Sequence, residues 1–119
     1  MLRGLVVALM LFSLTSGADA RVVLRDYIAA AKDEKARNVL KIYLSGVIDG
    51  IIYFDAALAI EGRQRLFCKP DNLALTFDQA EDIMMREAQD MKDVVGGPGD
   101  YPVSTLLIGG LEDTFPGQH

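Results

Sequence analysis

One histidine, one cysteine and no tryptophan leave this chain with few of the groups that carry out chemistry. The histidine is His119, the last residue, so no base stands ready to activate a cysteine or serine nucleophile. One cysteine and one histidine also fall short of the three or four ligands of a zinc site. No calcium-loop pattern occurs, and "GGPG" at 96 to 99 lacks the lysine and the strand-to-helix setting of a phosphate-binding loop. Asp49 and Asp55 lie in an apolar helix, where burial would raise a carboxylate pKa, but their spacing puts them on different sides of it. A cap, an ion pair or a hydrogen bond to Tyr43 or Tyr53 accounts for each. The expectation is a protein with no catalytic residue, no metal and no cofactor.

Positive charge is also scarce, with 12 basic against 17 acidic residues and a net charge of -5. The deficit is uneven: residues 21 to 68 hold 8 basic and 6 acidic side chains, residues 69 to 119 hold 3 and 10. An acidic surface repels phosphate backbones and anionic lipid, which disfavours nucleic-acid and membrane-surface roles. A basic protein partner fits better. The same acid also serves plain solubility.

What is present begins with Arg3, an apolar run from Leu5 to Leu14, and small residues closing on Ala18-Asp19-Ala20, the layout of a secretory signal peptide. Residues 1–20 are therefore set apart, and 21–119 are expected to form one small exported domain. Within it, Leu24, Tyr27, Ile28 and Ala31 follow helical spacing, and Asp33 offers a break or cap. From Lys35, the positions Leu40, Leu44, Val47, Ile51, Phe54 and Leu58 share a narrow face with Ile48 beside them, which predicts a long helix ending near Gly62. Placing Asp49 and Asp55 in hydrocarbon would cost roughly 2.5–3.5 kcal/mol each, so this is read as the central helix of a bundle. Gly46 and Gly50, four apart, suggest close packing, with a neighbouring helix of the chain or with a second copy as a homodimer.

Thr76 with Gln79 three residues on is a capping-box pattern, opening a helix with Phe77, Ala80, Met84, Ala88, Met91 and Val95 on its buried face. Asp78, Asp82, Arg86 and Asp93 take the other face. "GGPGDYP" at 96 to 102 must be a loop. A last helix then runs through Leu106, Leu107 and Leu111 to about Phe115, stopped by Pro116 and Gly117. The expected fold class is all-α, a small bundle of about four helices around one long central helix.

Four strings in order, "YLSGVIDG" at 43 to 50, "LFCKP" at 66 to 70, "LALTFDQAEDIM" at 73 to 84 and "LEDTFP" at 111 to 116, resemble the Rap/Tai immunity proteins of type VI secretion systems. The resemblance covers about Leu40 to Pro116. It implies a periplasmic helical protein that binds a peptidoglycan amidase effector, blocks it, and catalyses nothing itself. Relatives commonly carry further cysteines, where this chain has Ile42 and Gly117.

Cys68, next to Pro70, then has three readings: a small buried anchor for the loop, a Cys68–Cys68 dimer bridge, or a free exposed thiol. For the inhibitory contact, the 96–102 loop is the first candidate, stiffened by Pro98 and Pro102 and presenting Asp100 and Tyr101. Its alternatives are a plain helix connection and the acidic face of Asp78, Asp82 and Asp93. A rival class for the whole chain is a small periplasmic chaperone or structural binding protein with an acid-triggered surface.

Overall fold

The computed structural model describes residues 21–70 and 74–117. The expected signal peptide, Asp71 to Leu73 and His119 lie outside the described residues. Four helices make up the fold: α1 (Leu24–Ala30), α2 (Glu34–Ile60), α3 (Phe77–Asp90) and α4 (Val103–Thr114). Two isolated antiparallel bridges, Val23 with Pro102 and Phe67 with Pro116, are the β-type pairing among the described residues.

Each boundary has a local cause. Asp33 caps α2 by accepting from the Ala36 amide at 2.9 Å, and Thr76 and Gln79 close the full capping box on α3. At the far end of α2, Gly62 takes a left-handed φ of 71°. Its amide donates to Ala59 O and the Arg63 amide to Leu58 O, the paired bonds of a Schellman stop. α1, only seven residues long, has no side-chain cap. Loop carbonyls do that work instead: the Leu24 amide donates to Tyr101 O and the Arg25 amide to Gly99 O, both at 3.0 Å. In return the Val103 amide, at the start of α4, donates to Val22 O at 2.9 Å. Each of the two segments thus satisfies orphan donors of the other's helix.

The core collects Leu24 and Tyr27 of α1, Leu40, Leu44, Ile48 and Ile51 of α2, Ala80, Ile83, Met84 and Ala88 of α3, and Val103, Leu106, Leu107 and Leu111 of α4. Phe67, from the irregular stretch after α2, is buried among them. The α3–α4 pair packs most extensively. Gly109 and Gly110 of α4 make that approach close: a β-carbon at Gly110 would lie 2.6 Å from Ile83 Cγ2 and 2.9 Å from Ile83 O.

Several sequence expectations are corrected. Among the described residues nothing lies within 4 Å of a β-carbon built on Gly46 or Gly50, so they pack against none of the four helices. The packing glycines are those of α4. Asp49 is exposed on α2. The buried stripe of α2 also turns away from the expected one. Phe54 is exposed and Leu58 half-buried, while Asp55 is fully buried in their stead. Ile28 faces outward, and α3 stops at Asp90, leaving Val95 fully exposed in the following turn.

Candidate functional site

The 96–102 loop begins with Gly96 and Gly97 at φ values of 83° and 68°, a reversal only glycine makes cheaply twice in a row. From Gly99 to Tyr101 its backbone is tied to α1 by the amide bonds described above. Pro98 is half-buried and Tyr101 packs against the core, whereas Asp100 stands out in solvent. Arg25 reaches Asp100 with Nη1 donating to Oδ1 at 2.6 Å. Both side chains are well exposed, so the pair contributes little to stability, about 0–1 kcal/mol. It does fix where the carboxylate points. The arrangement is a rigid shoulder with one oriented acid, and less a free finger than the sequence suggests. Tyr101 belongs to its support.

The acidic face divides. Asp78 and Asp82 are exposed on successive turns of α3, where they line an open depression of about 450 Å³ with Gln79, Glu81 and Met85. Arg86 sits 3.9 Å from Asp82, a surface pair four residues along. Asp93 lies beyond the end of α3, in the turn leading to the glycines, and does not continue that helical row.

Behind this face is a network that periodicity did not reveal. The Tyr27 hydroxyl donates to Glu81 Oε2 at 2.5 Å, and Arg37 donates through Nη2 to Glu81 Oε1 at 3.1 Å and through Nη1 to Oε2 at 3.3 Å. Burial, followed by the neighbouring Glu81 carboxylate, pushes the Tyr27 hydroxyl well above the usual range, keeping it a donor. Arg37 and Lys41 both stand over the Phe77 ring, at 5.5 and 5.7 Å from its centre. One glutamate therefore clamps α1, α2 and α3. The signal for it was faint, a lone acid on a helix whose neighbours were also acids.

A second cluster joins α3 to α4. Glu87 lies over Gly109, is desolvated there and hydrogen-bonded to Asp113, with Asp90 and Glu112 adding negative charge. Its carboxyl is pushed up to about 7. Two carboxyls in hydrogen-bond contact hold one proton between them more readily than two charges.

At the other end of the molecule, Asp55 organises the cysteine segment. Its Oδ2 accepts from Arg65 Nε at 3.0 Å and Nη2 at 2.8 Å; its Oδ1 accepts from the amides of Leu66 at 2.7 Å and Phe67 at 3.3 Å. Of the cap, ion pair or tyrosine hydrogen bond that the sequence left open for Asp55, the structure has the ion pair, and Phe67, not Cys68, is the buried anchor of the segment. Cys68 is half-buried and unbridged; its amide donates to Phe115 O at 2.9 Å. Pro70 is exposed. Among the described residues, no group of three histidine, cysteine, aspartate or glutamate side chains is placed to hold a metal ion.

Compared with family models, curated proteins and solved structures, the chain gives no significant match.

Proposed function

We propose that this protein is a periplasmic immunity protein that binds a peptidoglycan-cleaving amidase effector of a type VI secretion system and blocks it. The reading rests on the resemblance of its four sequence strings to the Rap/Tai proteins, and one observation of the fold carries it further. The "LFCKP" and "LEDTFP" strings, far apart in sequence, lie side by side through the Phe67–Pro116 bridge and the Cys68–Phe115 hydrogen bond. In the proteins it resembles, cysteines are commonly found at this cysteine's place and just after the final F-P. Here Gly117 falls against the Arg65 carbonyl, 2.7 Å from where its β-carbon would be. The contact that a bridge would make is thus replaced by backbone approach.

In this reading the inhibitory contact is the rigid shoulder around Asp100, with Asp78 and Asp82 as the flanking acidic surface. A shape held before binding loses little entropy on binding, which is what a tight inhibitor requires. Asp100 would face a basic group of the amidase, and the acidic half of the chain would speed encounter with it. Pull-down with the tagged chain from lysate of the source bacterium, followed by mass spectrometry, tests the assignment. Recovery of an enzyme that cleaves peptidoglycan is expected.

The second reading, an acid-responsive periplasmic chaperone, is favoured by one observation: the Glu87 carboxyl at the α3–α4 junction, which burial and its acidic neighbours push up to about 7. Recovery of many unrelated unfolded proteins, and only at low pH, would replace the first reading by this one.

A further inference from the structure

Two open depressions beside α3 run into one another. The first, about 160 Å³, is lined by Tyr27 and Ile28 of α1, Ala31 at its end, Arg37 of α2, and Glu81 and Met85 of α3. The second is the depression of about 450 Å³ that holds Asp78 and Asp82, and it shares Glu81 and Met85 with the first. Together they make a groove that is apolar at one end and acidic at the other. Ile28 and Met85 form the apolar end, 40% and 37% exposed although both side chains are apolar. Asp78 and Asp82, both exposed, form the acidic end.

The wall between the two ends is already built. Tyr27 and Arg37 hold Glu81 between them, which fixes α1, α2 and α3 around the cleft before anything binds, so little ordering cost falls on binding there. Both Nη atoms of Arg37 are committed to Glu81, at 3.1 and 3.3 Å, and that pair is close to neutral. The charge left in the groove is therefore that of Asp78 and Asp82. Arg86 offsets part of it through a loose surface contact of 3.9 Å, which a closer cation displaces. Met85, unbranched and flexible, adapts to the shape of what enters.

The geometry points to a docking groove for a basic segment of a protein partner, with one apolar side chain seated between Ile28 and Met85 and an arginine or lysine set against each of Asp78 and Asp82. The carboxylates choose the occupant: an apolar cleft alone takes any apolar group, whereas these two select one carried beside positive charge. Size agrees. An apolar cavity of about 150 Å³ admits a benzene ring, so the cleft of about 160 Å³ admits a leucine, methionine or phenylalanine side chain. Along α3, Asp82 lies about 4.5 Å and Asp78 about 10.5 Å from Met85 at 1.5 Å per residue. Side chains on one side of an extended chain recur about every 6.7 Å, and the length of an arginine covers the difference, so a Leu-x-Arg-x-Arg segment spans the groove. The inference rests on the reading in which Asp78 and Asp82 flank the contact with the amidase, and it supplies the apolar anchor that a row of exposed acids lacks.

Titration of the isotope-labelled protein with the capped peptide acetyl-Leu-Ser-Arg-Ser-Arg-amide, followed by NMR, tests the groove without the amidase. Shifts at Ile28, Ala31, Asp78, Asp82 and Met85 are expected, saturating with a dissociation constant of about 1 mM. Replacing the peptide's leucine by alanine, or both arginines by glutamine, should each weaken binding at least about fivefold. The double change Asp78→Asn and Asp82→Asn should do the same from the protein side, with the fold unchanged by circular dichroism. No shift at these residues with about 10 mM peptide, ten times the expected constant, would overturn the proposal. So would an alanine peptide that binds as well as the leucine one, which is surface ion pairing alone, or a glutamine peptide that binds as well as the arginine one, which is a site for an uncharged ligand. Failure here leaves inhibition of the amidase to its own titration, and peptide binding beside an uninhibited amidase would uphold the groove and remove only the immunity reading.

Discussion

Asp55 holds a stretch of chain that has no secondary structure of its own. Buried at the end of α2, it supplies acceptors to Arg65 and to two consecutive amides, and so delivers Phe67 to the core. Asp55→Ala strands those donors and should cost about 3 kcal/mol in chemical denaturation. Asp55→Asn keeps one acceptor and should cost less. Helical spacing alone placed Phe54 and Leu58 on the buried face, because hydrophobicity cannot rank a carboxylate above a phenyl ring. Only the partners, ten to twelve residues along, make the acid the better choice for burial. Glu87 is the other residue whose behaviour comes from its surroundings. Its carboxyl titrates near 7 in the fold against an ordinary 4.5, so the folded state binds more protons than the unfolded one between those values. Its contribution to stability is therefore fully present below about pH 4.5 and is lost as pH rises through about 7. Thermal unfolding followed from pH 5 to 8 should show this fall superposed on the rest of the titration, and Glu87→Gln should flatten it and raise stability at pH 8 by about 1 kcal/mol, discounting for solvent screening.

Among the elements, the glycines separate two kinds of helix contact. Gly110 admits Ile83 of α3 so closely that a methyl group would have to displace backbone. Gly110→Ala should cost about 1–3 kcal/mol by overpacking, whereas Gly46→Ala should raise the thermal midpoint of the protein. The sequence made these positions look alike. Spacing identifies a helix and its stripe but is silent on which neighbour approaches, and "GG" in α4 carried no distinguishing mark against the four-residue repeat of α2. Terminators and caps were legible for the opposite reason: Asp33, Gly62, the Thr76–Gln79 box and Pro116 act within a few residues. The capping of α1 by loop carbonyls was not, since it joins residues about 75 apart through backbone that carries no side-chain signature.

At the scale of the whole molecule, the all-α bundle around one long helix follows from the hydrophobic periods, and the structure has it. Two surfaces stand out among the described residues: the exposed apolar side chains on the outer side of α2, and Asp100 beside an acidic α3. The proposed function rests on exclusion plus resemblance alone, because a binding protein would carry its specificity in surface side chains whose complement belongs to another molecule. Asp100 is the cleanest probe of that surface. Tyr101 supports the core, so changing both to alanine would mix folding with binding, whereas Asp100→Ala should lower the thermal midpoint by no more than about 5 °C, as befits an exposed pair.

The central claim, inhibition of a peptidoglycan amidase, is tested most directly by titrating the protein into that enzyme as it hydrolyses purified peptidoglycan. Hydrolysis should fall linearly to nothing at a fixed stoichiometric ratio, with Asp100→Ala requiring more protein to reach the same inhibition. Undiminished hydrolysis at an excess of folded wild-type protein would contradict it.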